Sequence, residues 1–74
     1  MPLDHNTLRE AGIALYGPQF QLALGDALDV SDRTIRRWLN GEYPIPDGIW
    51  PELAALCWDS SKALTDLAVR LDQA

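Results

Sequence analysis

The chain has 74 residues, of which 47% are apolar and 23% charged, a composition typical of one small globular domain over residues 1–74. Eleven acidic residues against six Lys and Arg give a formal net charge of −5. This charge argues against a protein that covers nucleic acid or membranes by non-specific electrostatic attraction. The single cysteine, Cys57, excludes an internal disulfide, and with one histidine it is too little for a structural zinc site.

Apolar runs in the sequence are too short for a membrane span. None approaches the about 18 to 20 residues that such a helix needs. Residues 1–10 lack the basic and apolar regions of a secretory signal. We therefore expect a soluble, cytoplasmic protein that makes no membrane contact.

The residue set does not predict a catalytic centre. An enzyme needs a nucleophile and a base held by a third group, or paired carboxylates in a pocket. Ser60, Ser61 and the scattered acids are better explained as helix caps and solubilising charge, and the lone His5 as a solvated residue. We expect no enzymatic activity, no catalytic residue, no bound metal and no cofactor.

The first half of the chain predicts three helices. Residues 7–16 favour a helix that ends at Gly17-Pro18, because proline cannot continue it. Residues 20–28 place an apolar side chain every four positions, which predicts a second helix facing a core. Ser31 is a good N-cap for a third helix over residues 32–40, which Gly41 ends.

The second half predicts two further helices. One begins between Asp47 and Trp50 and runs to Trp58, with Pro51 tolerated in its first turn. Ser60 or Ser61 then caps a fifth helix, whose leucines repeat at three and four. We therefore expect an all-α fold of about five short helices, in which the C-terminal helices, residues 47–72, supply core and dimer contacts.

Residues 20–41 have the spacing of two helices that cross at a short turn, Asp29 to Ser31. Gly25 allows the two backbones to approach closely. The side chains expected to pack the two helices together are apolar: Leu24, Leu28, Val30, Ile35 and Trp38. The spacing predicts a helix-turn-helix unit over residues 20–41.

The segment FQLALGDALDVSDRTIRRWLNGE, residues 20–42, resembles the lambda-repressor-like helix-turn-helix regulators of the Cro and phage-repressor (XRE) type. The turn reads Leu-Asp-Val-Ser from Leu28, and the second helix ends in Trp-Leu-Asn-Gly at Gly41. Asp29 replaces the usual turn glycine at a position that often needs a positive φ. The resemblance implies a DNA-binding domain whose recognition helix, residues 32–40, enters the major groove.

Helix geometry supports this interpretation independently. At about 100° per residue, Arg33, Arg36, Arg37 and Asn40 fall within an arc of about 100°, and the apolar residues of the same helix lie opposite. Guanidinium and carboxamide groups read guanine and adenine edges or clamp phosphates. The sequence thus predicts one DNA-facing helix on an otherwise acidic protein.

Supporting residues flank this helix. The resemblance places Gln21 near a phosphate and Ser31 at the start of the recognition helix. Thr34 is a candidate for contact with a phosphate or a thymine methyl, and Tyr43 for a hydrogen bond to the DNA backbone. The candidate DNA-binding residues are Gln21, Ser31, Asp32, Arg33, Thr34, Arg36, Arg37, Asn40 and Tyr43.

Plainer explanations stay open for several residues. Asp32 has three possible roles. It stabilises the N-terminus of the helix through its negative charge, accepts a hydrogen bond from the N4 amino group of a cytosine, or forms an ion pair with Arg36 four positions later. The three arginines alternatively form a solvated helix face. Cys57 is expected to be a buried, small apolar residue. Core or dimer contacts, rather than base stacking, are expected for Trp38, Trp50 and Trp58.

These features together favour a sequence-specific, double-stranded DNA-binding regulator of transcription. One recognition helix spans a few base pairs, so we expect a homodimer on a palindromic operator with half-sites about 34 Å apart. We expect a repressor or autoregulator, as in phages or mobile elements, because no second domain for sensing a ligand is evident. The alternative is a protein-interaction module on the same fold, such as an antitoxin that binds a toxin, which the net charge of −5 favours.

Overall fold

A computed structural model describes residues 3–73, which form four α-helices in chain order. These are α1 (His5–Tyr16), α2 (Gln21–Leu28), α3 (Asp32–Leu39) and α4 (Ile49–Asp72). The expected all-α class is confirmed for this part of the chain, which contains no strand. The expected count of about five helices is wrong, because one long helix replaces the last two.

The continuity of α4 has a physical cause in its sequence. Ser60 and Ser61 lie inside the helix and do not cap a new one, since the surrounding segment contains no Gly or Pro to end it. The apolar residues also keep one phase across the serines, from Leu53 to Leu64 and Leu71, so all of them stay on one helix face. As predicted, Pro51 lies in the first turn.

Both ends of α1 are fixed by local chemistry. Asp4 is the N-cap, and its carboxylate accepts a hydrogen bond from the Thr7 backbone N–H at 3.1 Å. This bond lowers the pKa of Asp4 from its ordinary value of 3.8, so its stabilising effect is lost as the pH falls through the lowered pKa. Gly17 ends the helix as predicted, with φ +87°.

The four helices share one apolar core. Leu8, Leu24 and Ile35, from α1, α2 and α3, are fully buried at its centre. The other buried apolar side chains are Phe20, Leu28, Trp38, Leu39, Ile49 and Leu53. No polar or charged side chain is buried anywhere in residues 3–73, so the polar groups of this region lie at the surface.

The crossing of α2 and α3 depends on two unusual backbone positions. A Cβ at Gly25 would lie 2.7 Å from the Val30 carbonyl oxygen, which explains why glycine is needed there. Asp29 adopts the left-handed conformation, with φ 59° and ψ 43°, as expected for the position of a turn glycine. The three residues Asp29–Ser31 therefore suffice to turn the chain from α2 into α3.

The second half of α4 leaves the body of the fold. The molecule measures 48 × 24 × 18 Å, and every residue from Ser61 to Gln73 is exposed. Cys57 is exposed rather than buried as predicted, and Trp58 is 76% exposed and so cannot belong to the core. The prediction for Cys57 was wrong: it borders an open groove beside Ala14 and Leu15 at the end of α1. Trp58 lies about 140° around α4 from the buried Leu53, so its side chain points away from the core, which leaves the dimer contact as its remaining predicted role. No helix within residues 3–73 combines the length and apolarity needed to cross a bilayer.

Substitution of Gly25 by alanine is expected to destabilise the fold. The added methyl group meets backbone that cannot move without opening the α2–α3 turn, so the free energy of unfolding should fall by about 1 to 3 kcal/mol. Urea denaturation followed by circular dichroism measures the change.

Gly48→Ala is the matched control. Its Cβ would have no neighbour within 4 Å, and φ at Gly48 is −66°, so the control should unfold like the parent or at slightly higher urea. Equal stability of the two alanine variants would contradict the close crossing at Gly25.

Candidate nucleic-acid interface

The start of α3 is held by the side chain of Ser31. Its Oγ accepts a hydrogen bond from the Thr34 backbone N–H at 3.1 Å, and it lies 3.0 Å from the Thr34 hydroxyl. Asp32 occupies the first turn, where a negative charge is favourable. The cap thus fixes where the helix begins and orients the two hydroxyl groups beside its exposed face.

Two opposite faces of α3 have different environments. The apolar face is buried in the core through Ile35, Trp38 and Leu39. Arg33, Arg36 and Asn40 are exposed, and Arg37 is half-buried at the edge of the same polar face. The helix is therefore anchored along one side and presents guanidinium groups and a carboxamide along the other.

Asp32 and Arg36 form an ion pair on the exposed surface. The Arg36 Nη2 and Asp32 Oδ2 atoms lie 3.5 Å apart, one helical turn from each other. Of the three roles open to Asp32, the structure shows the pairing with Arg36, together with its place in the first turn of α3. Both side chains keep about half their exposure, so the pair is solvated and weak.

Arg37 stacks on an aromatic ring from the loop that follows α3. Its guanidinium carbon lies 5.2 Å from the centre of the Tyr43 ring, within range of a cation–π interaction. Gly41 makes this contact possible, because its φ of +75° turns the chain back after Asn40. The backbone N–H of Glu42 then donates to the Arg37 carbonyl at 3.0 Å, which ties the loop to the helix end.

The structure brings eight of the nine predicted residues together, on α3 and its two flanks: Ser31, Asp32, Arg33, Thr34, Arg36, Arg37, Asn40 and Tyr43. Gln21 is half-buried and is the first residue of α2, on the other side of the α2–α3 turn in sequence. The predicted recognition helix, residues 32–40, is one residue longer than α3, because Asn40 is the C-cap.

Sequence reasoning missed the partner of Arg37 and the hydroxyl contact between Ser31 and Thr34. The spacing of Ser31 and Thr34 could have revealed their contact, since a capping residue and the third residue after it face each other. The Arg37–Tyr43 contact had a weaker signal, because it depends on the chain reversal at Gly41 beyond the end of the helix.

Comparison of the chain with protein-family models, curated proteins and solved structures finds no match in any of the three.

Loss of the Ser31 hydroxyl is expected to destabilise α3 measurably. Ser31→Ala leaves backbone N–H groups at the helix start unpaired and should lower the free energy of unfolding by about 1 kcal/mol. Thermal denaturation at fixed protein concentration detects a shift of this size.

Ser61→Ala supplies the control for the same change at a serine inside α4. Alanine is the better helix former there, so the variant should be as stable as the parent or slightly more stable. A similar loss in both variants would mean that Ser61 also caps a helix, contrary to the continuous α4.

Proposed function

We propose that this protein is a sequence-specific, double-stranded DNA-binding regulator of transcription that acts as a homodimer. One observation carries the proposal: α3 is buried along one side and presents exposed Arg33, Arg36 and Asn40 along the other. Under this proposal the α2–turn–α3 unit is a helix-turn-helix of the lambda-repressor-like type, and α3 is its recognition helix.

The size of α3 suits the major groove. An α-helix with its side chains is about 10 to 12 Å across, and the major groove is about 12 Å wide, so a helix such as α3 can enter it. The buried face of α3 fixes the orientation of the helix relative to the body, so the exposed side chains would enter the groove as one rigid set. Such rigidity favours specific reading of base edges.

The contacts of the three arginines in the free protein suggest different roles. Arg33 is fully on the exposed face and is our candidate for bidentate contact with guanine O6 and N7. Arg37 is held at the edge of that face by Tyr43, which suits contact with a phosphate. Arg36 would exchange its solvated pair with Asp32 for a base or a phosphate. Asn40, at the end of α3, is our candidate for adenine.

The remaining predicted residues would position the helix. Ser31 and Thr34 hold their hydroxyl groups at the start of α3, within reach of the phosphates that border the groove. Gln21, at the start of α2, would contact a phosphate on the same side of the duplex. We propose that the bound protein represses transcription by occluding a promoter.

The acidic net charge would sharpen the orientation of the protein on DNA. Three of its six cations lie on α3, whereas the formal net charge of the chain is −5. The field of such a protein attracts a polyanion to one face and repels it from the others. Binding would therefore depend strongly on these few arginines.

Selection from a pool of random DNA duplexes tests the proposal. The parent protein should enrich a short palindrome, and a variant with Arg33, Arg36 and Arg37 all changed to alanine should enrich nothing. The matched control changes the other three cations, Arg9, Lys62 and Arg70, to alanine.

The control loses the same charge but keeps α3, so it should select the same palindrome as the parent, with lower affinity. Absence of any enriched sequence for the parent at low salt would refute specific DNA recognition. Equal failure of both triple variants would show that net charge, and not the α3 face, governs binding.

A second candidate function is binding to a protein partner, as an antitoxin binds its toxin. The net charge of −5 favours it, because few phosphates could be neutralised beyond those that meet the three arginines.

Salt dependence separates the two functions. If Arg36 and Arg37 of both protomers contact phosphates, the logarithm of the DNA-binding constant should fall with the logarithm of salt concentration with a slope of about −4. Titration of a fluorescent duplex from 50 to about 300 mM salt measures it. Absence of binding to the duplex even at about 50 mM salt would argue against DNA as the ligand and would favour the protein-partner function.

A further inference from the structure

We infer that the second half of α4 pairs in antiparallel orientation with the same segment of a second copy of this chain, and so forms the dimer interface. The inference rests on the proposed function for the need for two DNA half-sites, whereas its structural argument concerns α4 alone. The surface involved is a stripe formed by Leu64, Leu67 and Leu71, which are 63%, 41% and 65% exposed. We call it the α4 stripe.

The α4 stripe continues the core face of the same helix. Ile49 and Leu53 are buried in the core, and the stripe follows at helical spacing on the same side of α4. The charged residues of the second half, such as Asp59, Lys62 and Asp66, project away from this side. The apolar core face thus continues for about two turns through side chains that the described residues leave largely exposed.

The exposed area of the chain agrees with a missing partner. Folded monomers of 8.2 kDa expose about 4,500 Å² by the general scaling of surface with mass, but this chain exposes 5444 Å². The excess, about 900 Å², is close to the about 800 Å² that each partner buries in a typical stable interface. Packing against a partner would also stabilise residues 61–72 of α4, because most helical stability in proteins comes from the packing of an apolar face.

Sterics decide the orientation of the second copy. The body of the fold lies on the stripe side of α4, next to Ile49 and Leu53. If two copies paired in parallel through this side, their bodies would occupy the same space. In antiparallel pairing the two bodies lie at opposite ends of the paired segments, so the stripes can meet.

The register follows from the spacing of large and small residues. Antiparallel helices pack with Leu64 opposite Leu67 of the partner subunit, which places Leu71 of the partner subunit opposite Ser60. Around Ser60, the side chains of Cys57, Ser61 and Leu64 line a groove of about 410 Å³ that Ala14 and Leu15 of α1 complete. A leucine side chain from the partner fits this groove, which is bordered by small residues.

This register also sets the spacing of the two bodies. In it, Leu53 lies about 37 Å along the paired helices from Leu53 of the partner subunit. Antiparallel pairing of identical helices has the two-fold symmetry that a palindromic operator requires.

The first test measures association without DNA. By sedimentation equilibrium the parent should be a dimer at micromolar concentration, and Leu64→Glu should weaken dimerisation by about 100-fold or more, because it places a charge in the apolar contact. Val69→Glu is the matched control, since Val69 is 51% exposed on the opposite side of α4 and should dimerise like the parent. Circular dichroism verifies that both variants remain helical.

The second test determines orientation by disulfide formation in a Cys57→Ser background. The double variant Ser60→Cys with Leu71→Cys should yield covalent dimers on oxidation, because the two cysteines face each other across the interface. Either single variant should not, since the identical positions of the two protomers lie about 16 Å apart. The parent should not cross-link either, with its Cys57 residues about 25 Å apart.

The possible results distinguish this inference from the proposed function. A monomeric parent, or equal dimerisation of the parent and Leu64→Glu, would overturn the α4 interface even if the protein selects DNA. Cross-linking through Cys57 in the parent would overturn the antiparallel orientation. A dimer that behaves as expected in both tests would support the inference whether or not the protein binds DNA.

Discussion

The close crossing of α2 and α3 is the constraint on which the rest of the structure depends. Gly25 lets the α2 backbone approach the Val30 carbonyl, and Asp29 turns the chain in the left-handed conformation. With both conditions met, Ile35 and Trp38 reach the core from α3. The polar side of the same helix is then directed outwards without any charged side chain entering the interior.

The same constraint explains why so much of this region could be predicted from the sequence. The cap at Ser31, the close glycine at Gly25 and the positive φ at Asp29 all depend on residues a few positions apart. The burial of Ile35 and Trp38 follows from helical periodicity alone. The all-α fold class and the placement of the residues around α3 were therefore predictable.

Errors arose where the structure depends on contacts between distant parts of the chain. The two serines at Ser60 and Ser61 have the chemistry of a cap, but they lie inside a helix whose apolar phase does not change. Cys57 was predicted to be buried, but it borders an open groove at the end of α1, a placement that depends on how α1 and α4 pack and not on local sequence. The contact of Arg37 with Tyr43 likewise depends on a chain reversal outside the helix.

The pair of Asp32 and Arg36 has a consequence for selectivity towards anions of any kind. An anion that approaches Arg36 must compete with a carboxylate that is already present one helical turn away. A polyanion that attracts Arg36 only through its general negative charge gains little binding free energy by displacing Asp32. A ligand that offers two acceptor atoms in the correct geometry forms two hydrogen bonds with the Arg36 guanidinium and gains more. Under the proposed function, Asp32 would act as a weak internal competitor, which lowers indiscriminate binding of anions to Arg36 while leaving well-matched ligands able to displace it.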